Sequence, residues 1–103
     1  ELIILKSSGK KAPFDREKLV RSISIATRKR DIDPEEIDRT VSSIIRQLEA
    51  RGDAEIPSRI VGEFVMEALQ KIDDVAFVRY ASVYRNFTEA KDFERFLGSL
   101  DSE

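Results

Sequence analysis

Between Ile37 and Leu48, the residues Ile37, Val41, Ile44, Ile45 and Leu48 recur at three- and four-residue spacing, which is one stripe along a helix. Asp33-Pro34-Glu35-Glu36 precedes the stripe. It supplies a capping side chain, a proline where its missing N–H costs nothing, and acids in the first turn. Gly52 follows and can take the positive φ that ends a helix. A second stripe, Ile60, Val61, Phe64, Val65, Ala68, Leu69 and Ile72, begins after Pro57-Ser58. A shorter helix is expected from an Asp15 cap to about Arg28, with Leu19, Ile23 and Ala26 turned inward. From Asp74 to Phe87 the chain is apolar nearly all round, the pattern of a helix at the centre of a domain. Stripes this close in sequence hide their apolar faces by packing on one another.

The ends of the chain add smaller elements. Leu2-Ile3-Ile4-Leu5 is a continuous apolar run, consistent with a buried strand. Ser7-Ser8-Gly9-Lys10 has turn chemistry, and Lys11-Ala12-Pro13-Phe14 returns as a second strand. Pro13 donates no ladder hydrogen bond, so that strand belongs at an edge or must end there. Ala54-Glu55-Ile56 is a candidate third strand against the hairpin. From Thr88 a last segment carries Phe93, Phe96, Leu97 and Leu100 at helical spacing. The predicted fold is therefore α+β and mostly α, a bundle of four helices capped by a small three-stranded sheet, with a C-terminal tail helix. The sequence opens on Glu1 without an initiator methionine, and is expected to be part of a longer chain.

Composition removes whole classes of chemistry. Without cysteine or histidine these residues offer no disulfide, no Cys/His zinc site and no imidazole base. No glycine-rich phosphate loop or dinucleotide fingerprint occurs, and no serine nucleophile stands beside a base. The carboxylate pairs Glu35-Glu36 and Asp73-Asp74 sit at helix starts, where capping explains them. No apolar run approaches the roughly 20 residues of a membrane span. The N-terminus lacks the basic flank of a signal peptide, so a cytoplasmic location without a membrane partner is expected. A net charge of −2 gives no overall attraction to nucleic acid, so any anion must be held by local positive charge.

Such charge gathers near the hairpin. Lys6 ends the first strand, Lys10 and Lys11 flank the return, and Lys18 and Arg21 follow in the first helix. Lys18 lies in a first turn, where free N–H groups already favour an anion. The cluster fits either a polyphosphate pocket or ordinary solvated lysines. Arg28-Lys29-Arg30 likewise reads as compensation of a helix dipole or as a nucleic-acid patch.

The run Ile4-Leu5-Lys6-Ser7-Ser8-Gly9-Lys10-Lys11-Ala12-Pro13-Phe14-Asp15-Arg16-Glu17-Lys18 resembles the opening of ATP-cone domains, helical bundles capped by a small sheet that bind ATP or dATP as allosteric effectors. Glu55-Ile56-Pro57-Ser58, Val65-Met66-Glu67-Ala68-Leu69 and above all Arg79-Tyr80-Ala81-Ser82-Val83-Tyr84-Arg85-Asn86-Phe87 are similar to the repressor branch, bacterial regulators of ribonucleotide reductase genes. Reductase cones resemble the chain less in this half and continue into a catalytic barrel. The resemblance divides the chain into a nucleotide-binding cone over residues 1–88 and a tail over 89–103. It also implies that the protein is no enzyme.

By that resemblance Ile4 and Leu5 present backbone groups and apolar surface to adenine, and Lys6 and Lys18 hold phosphates. Ser7 and Lys11 line the site, Asp15 lies near the sugar or the helix cap, and Tyr84 reaches in from the last bundle helix. Adenine nucleotide with Mg is the implied ligand. Repressors of this kind carry a separate cysteine-ligated zinc ribbon that binds DNA, so zinc and operator contacts are expected outside these residues. Phe93, Phe96, Leu97 and Leu100 are expected as a homo-oligomer interface through which nucleotide alters self-association. Two other readings fit the sequence, the allosteric cone of a reductase and a helical interaction domain without nucleotide.

Overall fold

The first two helices begin at capping side chains in the computed structural model, which describes residues 2–84. Strands β1 (Ile3–Leu5) and β2 (Lys11–Pro13) form the hairpin. Helices α1 (Arg16–Ala26) and α2 (Pro34–Ala50) follow. Strand β3 (Ile56–Pro57) leads directly into α3 (Ser58–Ile72), and α4 (Asp74–Tyr84) closes the bundle. The Asp15 side chain accepts from the Lys18 N–H at 3.2 Å and Asp33 from the Glu35 N–H at 2.9 Å, which satisfies donors that a helix start leaves free. Gly9 at φ 90° and Gly52 at φ 72° occupy the backbone region that the hairpin turn and the end of α2 require.

The sheet order is β2-β1-β3. Strands β1 and β2 are antiparallel, with Ile4 opposite Ala12 and Leu5 opposite Lys11. Strand β3 runs parallel to β1, pairing Ile56 with Ile4 and Pro57 with Leu5. Pro13 closes an edge strand, as its missing donor demands. The run expected as a buried strand is only half-buried, because a three-stranded cap has one face on the bundle and one toward water.

The inward stripes meet in one core: Leu19, Ile23 and Ala26 from α1, Val41, Ile44 and Leu48 from α2, Val65, Met66 and Leu69 from α3, and Ala76, Phe77 and Ala81 from α4. Ile56 of β3 is fully buried beneath them and ties the sheet to the bundle. Helix α4 corrects its expectation. It buries Ala76, Phe77 and Ala81 but leaves Val75 and Val83 exposed, the latter by 83%. It packs against α3 and α1 through its buried residues, so apolar composition here does not mean that every apolar side chain is buried.

Helix α1 stops at Ala26, earlier than the expected Arg28, and Lys29 turns the chain at φ 61°. The basic triplet therefore lies beyond the helix, and no basic residue stands in the last turn of α1. Arg30 instead reaches Asp73, donating from Nε and Nη2 to its two carboxylate oxygens at 2.9 Å each. Asp73 also accepts from the Ala76 N–H at 3.0 Å, and its own N–H donates to Leu69 O at 2.9 Å. One residue thus ends α3, caps α4 and anchors the turn after α1. Its side chain keeps 15% of its exposure, less than either partner of the Lys11–Glu55, Arg16–Asp38 or Arg51–Asp53 pairs.

The Arg30 guanidinium, then the Ala76 N–H, hold the Asp73 carboxyl below the ordinary carboxylate range. A carboxyl with a lowered folded-state pKa contributes stability above its unfolded value, near 3.9, and loses it as pH falls through the folded value. Asp73 therefore stabilises the fold throughout the neutral range and ceases to do so in acid. Asp73→Ala is expected to lower Tm by several degrees at neutral pH. The gap between variant and parent should shrink as thermal melts are taken from about pH 5 to about pH 2. A gap independent of pH would remove the charge from this account.

Candidate functional site

Strand alternation decides which hairpin residues face the bundle. Ile4 and its partner Ala12 lie on one face of the sheet, Leu5 and its partner Lys11 on the other. The Lys6 N–H donates to Lys10 O at 2.8 Å and the Gly9 N–H to Lys6 O at 2.9 Å, which closes the turn and returns Lys6 and Ser7 to the Ile4 side. Phe14 N–H then bonds Leu2 O at 2.9 Å, so the chain leaves the hairpin directly over the start of α1.

A cleft of about 680 Å³ opens between this face, the first two turns of α1, the start of α3 and the end of α4. Such a volume suits a ligand of nucleotide size, since small-molecule sites span about 300–1,000 Å³. Its floor is apolar, with Ile4, Phe14 and Leu19 on one side and Val61 and Gly62 on the other. Lys6 and Lys18 stand at its rim with Ser7, Asp15, Ser22 and Ser58. Asp15 accepts from the Lys18 N–H with one carboxylate oxygen, and it brings the lining's one carboxylate beside its two lysines.

Tyr80 and Tyr84, one turn apart on α4, form the opposite wall, their rings stacked at 6.2 Å with 16° between planes. Tyr84 Oη donates to the carbonyl oxygen of Arg59 at 2.7 Å. Burial, then the neighbouring Tyr84, raises the Tyr80 phenol above its ordinary pKa, so Tyr80 stays neutral across the physiological range.

Of the residues expected at a nucleotide site, Ile4, Lys6, Ser7, Asp15, Lys18 and Tyr84 line this cleft. Leu5 and Lys11 lie outside its lining. Their register puts them on the far face of the hairpin, where Lys11 is paired with Glu55. Tyr80, Ser58 and Gly62 line it without having been expected. Tyr80 was legible only as core-type apolar surface, and Ser58 as a helix start. Phe93, Phe96, Leu97, Leu100 and the tail helix fall outside the described residues.

A second groove of about 340 Å³ runs between α2 and α3. Its charged rim alternates Glu36 and Glu67 with Arg39 and Lys71, and so presents no net positive field to a polyphosphate. Among the described residues no group of three or more Asp or Glu is arranged to hold a metal ion, and no helix is long and apolar enough to cross a membrane.

The family of ATP cone domains matches residues 2–90. The chain belongs to that family. The cone is also similar to proteins named transcriptional repressor NrdR. That of Caulobacter sp. (strain K31) is 65% identical over 99 residues, covering 96% of this chain and 63% of the relative. That of Mesorhizobium japonicum is 59% identical over 103 residues, covering 100% of this chain and 65% of the relative. That of Phenylobacterium zucineum (strain HLK1) is 61% identical over 98 residues, covering 95% and 63%. The cone thus spans a little under two thirds of the length of these relatives.

Proposed function

We propose that the cone is the nucleotide-sensing part of a transcriptional repressor of ribonucleotide reductase genes, regulatory and not catalytic, and that ATP and dATP bind in the hairpin–α1–α4 cleft. The observation that carries this reading is that Lys6 and Lys18, both exposed and from different elements, line one cleft together with the apolar residues Ile4, Phe14, Leu19 and Val61. Lys6 and Lys18 hold the phosphates, aided by the α1 N–H groups and the positive end of the helix. Ile4, whose backbone is fixed by both neighbouring strands, lies against the base, with Phe14 beside it. Ser7 and Asp15 lie beside the sugar and phosphates, and Tyr84 bounds the site from α4. Mg enters with the nucleotide, since polyphosphates carry it in solution and the cleft supplies a single carboxylate. Similarity to proteins named repressors supports the regulatory half of the reading, and favours it over a reductase cone. DNA is bound by a separate zinc ribbon of the whole protein, for which these residues hold no cysteine.

Each lysine contributes a charge-assisted contact worth about 1.5–3 kcal/mol, nearer the lower end here because both are exposed. Lys6→Ala and Lys18→Ala are therefore expected to weaken ATP and dATP about tenfold each and equally, since the two ligands differ only at the sugar. Calorimetric titration measures this. Unchanged affinity in both variants would move the site elsewhere.

A sensor acts only by binding two states unequally. In our reading those states differ in self-association, through the apolar residues Phe93, Phe96, Leu97 and Leu100. Light scattering behind a sizing column is expected to give different masses for samples saturated with ATP and with dATP. Identical masses in apo, ATP and dATP samples would exclude the mechanism.

A further inference from the structure

Helix α3 carries a buried glycine in its interior, Gly62. Glycine there weakens a helix relative to alanine, so its presence calls for a physical reason. Gly9 and Gly52 answer to their positive φ, and a Cβ on either would meet nothing within 4 Å. Gly62 answers to space. A Cβ at this position would lie 2.6 Å from Tyr84 Cζ and 2.7 Å from Cδ1, and closer still to Cε1. Carbon atoms in contact sit about 3.5–4.0 Å apart, so the missing methyl is a notch filled by the tyrosine ring.

The seated ring is fixed in two further ways. Its hydroxyl reaches the Arg59 carbonyl one turn earlier on α3, and its face stacks on Tyr80. A ring denied the notch cannot keep both contacts, because the hydroxyl bond and the notch belong to the same stretch of α3. Gly62, Tyr80 and Tyr84 all line the cleft, so any shift of the ring reshapes the space left for a ligand.

We propose that Gly62 is a positioning residue for nucleotide binding: the notch it leaves in α3 seats Tyr84, and the seated ring sets the depth of the cleft. The proposal rests on the nucleotide reading of that cleft, and it predicts a specific non-additivity between the two positions. Gly62→Ala is expected to weaken ATP binding roughly tenfold, the usual penalty scale of overpacking. It should also lower Tm in the parent chain, against the ordinary helix preference for alanine. In a Tyr84→Ala background the ring is gone, so Gly62→Ala should raise Tm instead.

Two tyrosines and no tryptophan make the chain's ultraviolet emission a report on Tyr80 and Tyr84 alone. In a Tyr80→Phe background, Gly62→Ala should change the quenching of Tyr84 by acrylamide in the absence of any nucleotide. Unchanged quenching would overturn the proposal, as would a Gly62→Ala effect on Tm of the same sign with and without Tyr84. Full ATP affinity in Gly62→Ala would overturn it too. If Gly62→Ala fails to fold, a cooperative melt of Gly62→Ala/Tyr84→Ala above that of Tyr84→Ala alone supports it, and failure of both to fold overturns it. If the parent chain binds no ATP, the nucleotide reading falls, and with it the claim that the notch serves a nucleotide. The quenching and melting arms then decide whether Gly62 seats Tyr84 at all.

Discussion

The rest of the structure depends on how the carbonyl groups left over at the end of α1 are satisfied. Arg79 of α4 reaches across to them, Nη1 donating to Arg28 O at 2.7 Å and to Ala26 O at 3.3 Å. The neighbouring Arg30 side chain meanwhile grips Asp73 at the joint between α3 and α4. A helix of eleven residues with a three-residue apolar stripe is marginal by itself. These bonds fix its far end against α4, and the Asp15 cap fixes its near end beneath the hairpin. The cleft exists because α1 is held at both ends while the sheet and the α3–α4 pair are held to each other through Ile56 and the common core.

This arrangement lets a chain with net negative charge keep two lysines in the lining of one cleft. The two cleft lysines come from different elements, and several cations among the described residues are paired with acids outside the cleft lining, Lys11 with Glu55, Arg16 with Asp38 and Arg30 with Asp73 among them. Arg16 also donates to Ser42 at 3.1 Å, which draws its charge toward α2 and away from the cleft. Compensated charge supports the fold, and the cleft keeps Lys6 and Lys18 at its rim. The same separation accounts for the α2–α3 groove, which has volume and an apolar floor but balanced charge.

Much of this was legible in the sequence, because each feature was local. Caps at Asp15 and Asp33, the turn at Gly9, the edge position of Pro13 and the inward stripes of α1 and α2 all follow from residues within a few positions of each other. What was not legible depends on contacts across the fold. The end of α1 shifted because Arg28 O and Arg30 find partners more than forty residues away. Leu5 and Lys11 fell away from the cleft because a register, invisible in composition, puts them on the outer face of the hairpin. Gly62 carries no local signal of its role, because the reason for it is the Tyr84 ring, twenty-two positions away in sequence, that fills the space beside it. Helix α4 misled for the opposite reason: its composition is that of a buried helix, yet Val75 and Val83 are exposed.

The central claim is that adenine nucleotide enters the hairpin–α1–α4 cleft and no other. Amide shifts of uniformly 15N-labelled chain, followed as ATP is added, test it most directly, because every element reports separately in one experiment. The account predicts saturable shifts concentrated at residues 4–7, 15–22, 58–62 and 80–84, with the α2 face from Glu36 to Gln47 nearly still. Shifts centred on Glu36, Arg39, Glu67 and Lys71, or no saturable shift at millimolar ATP, would contradict it.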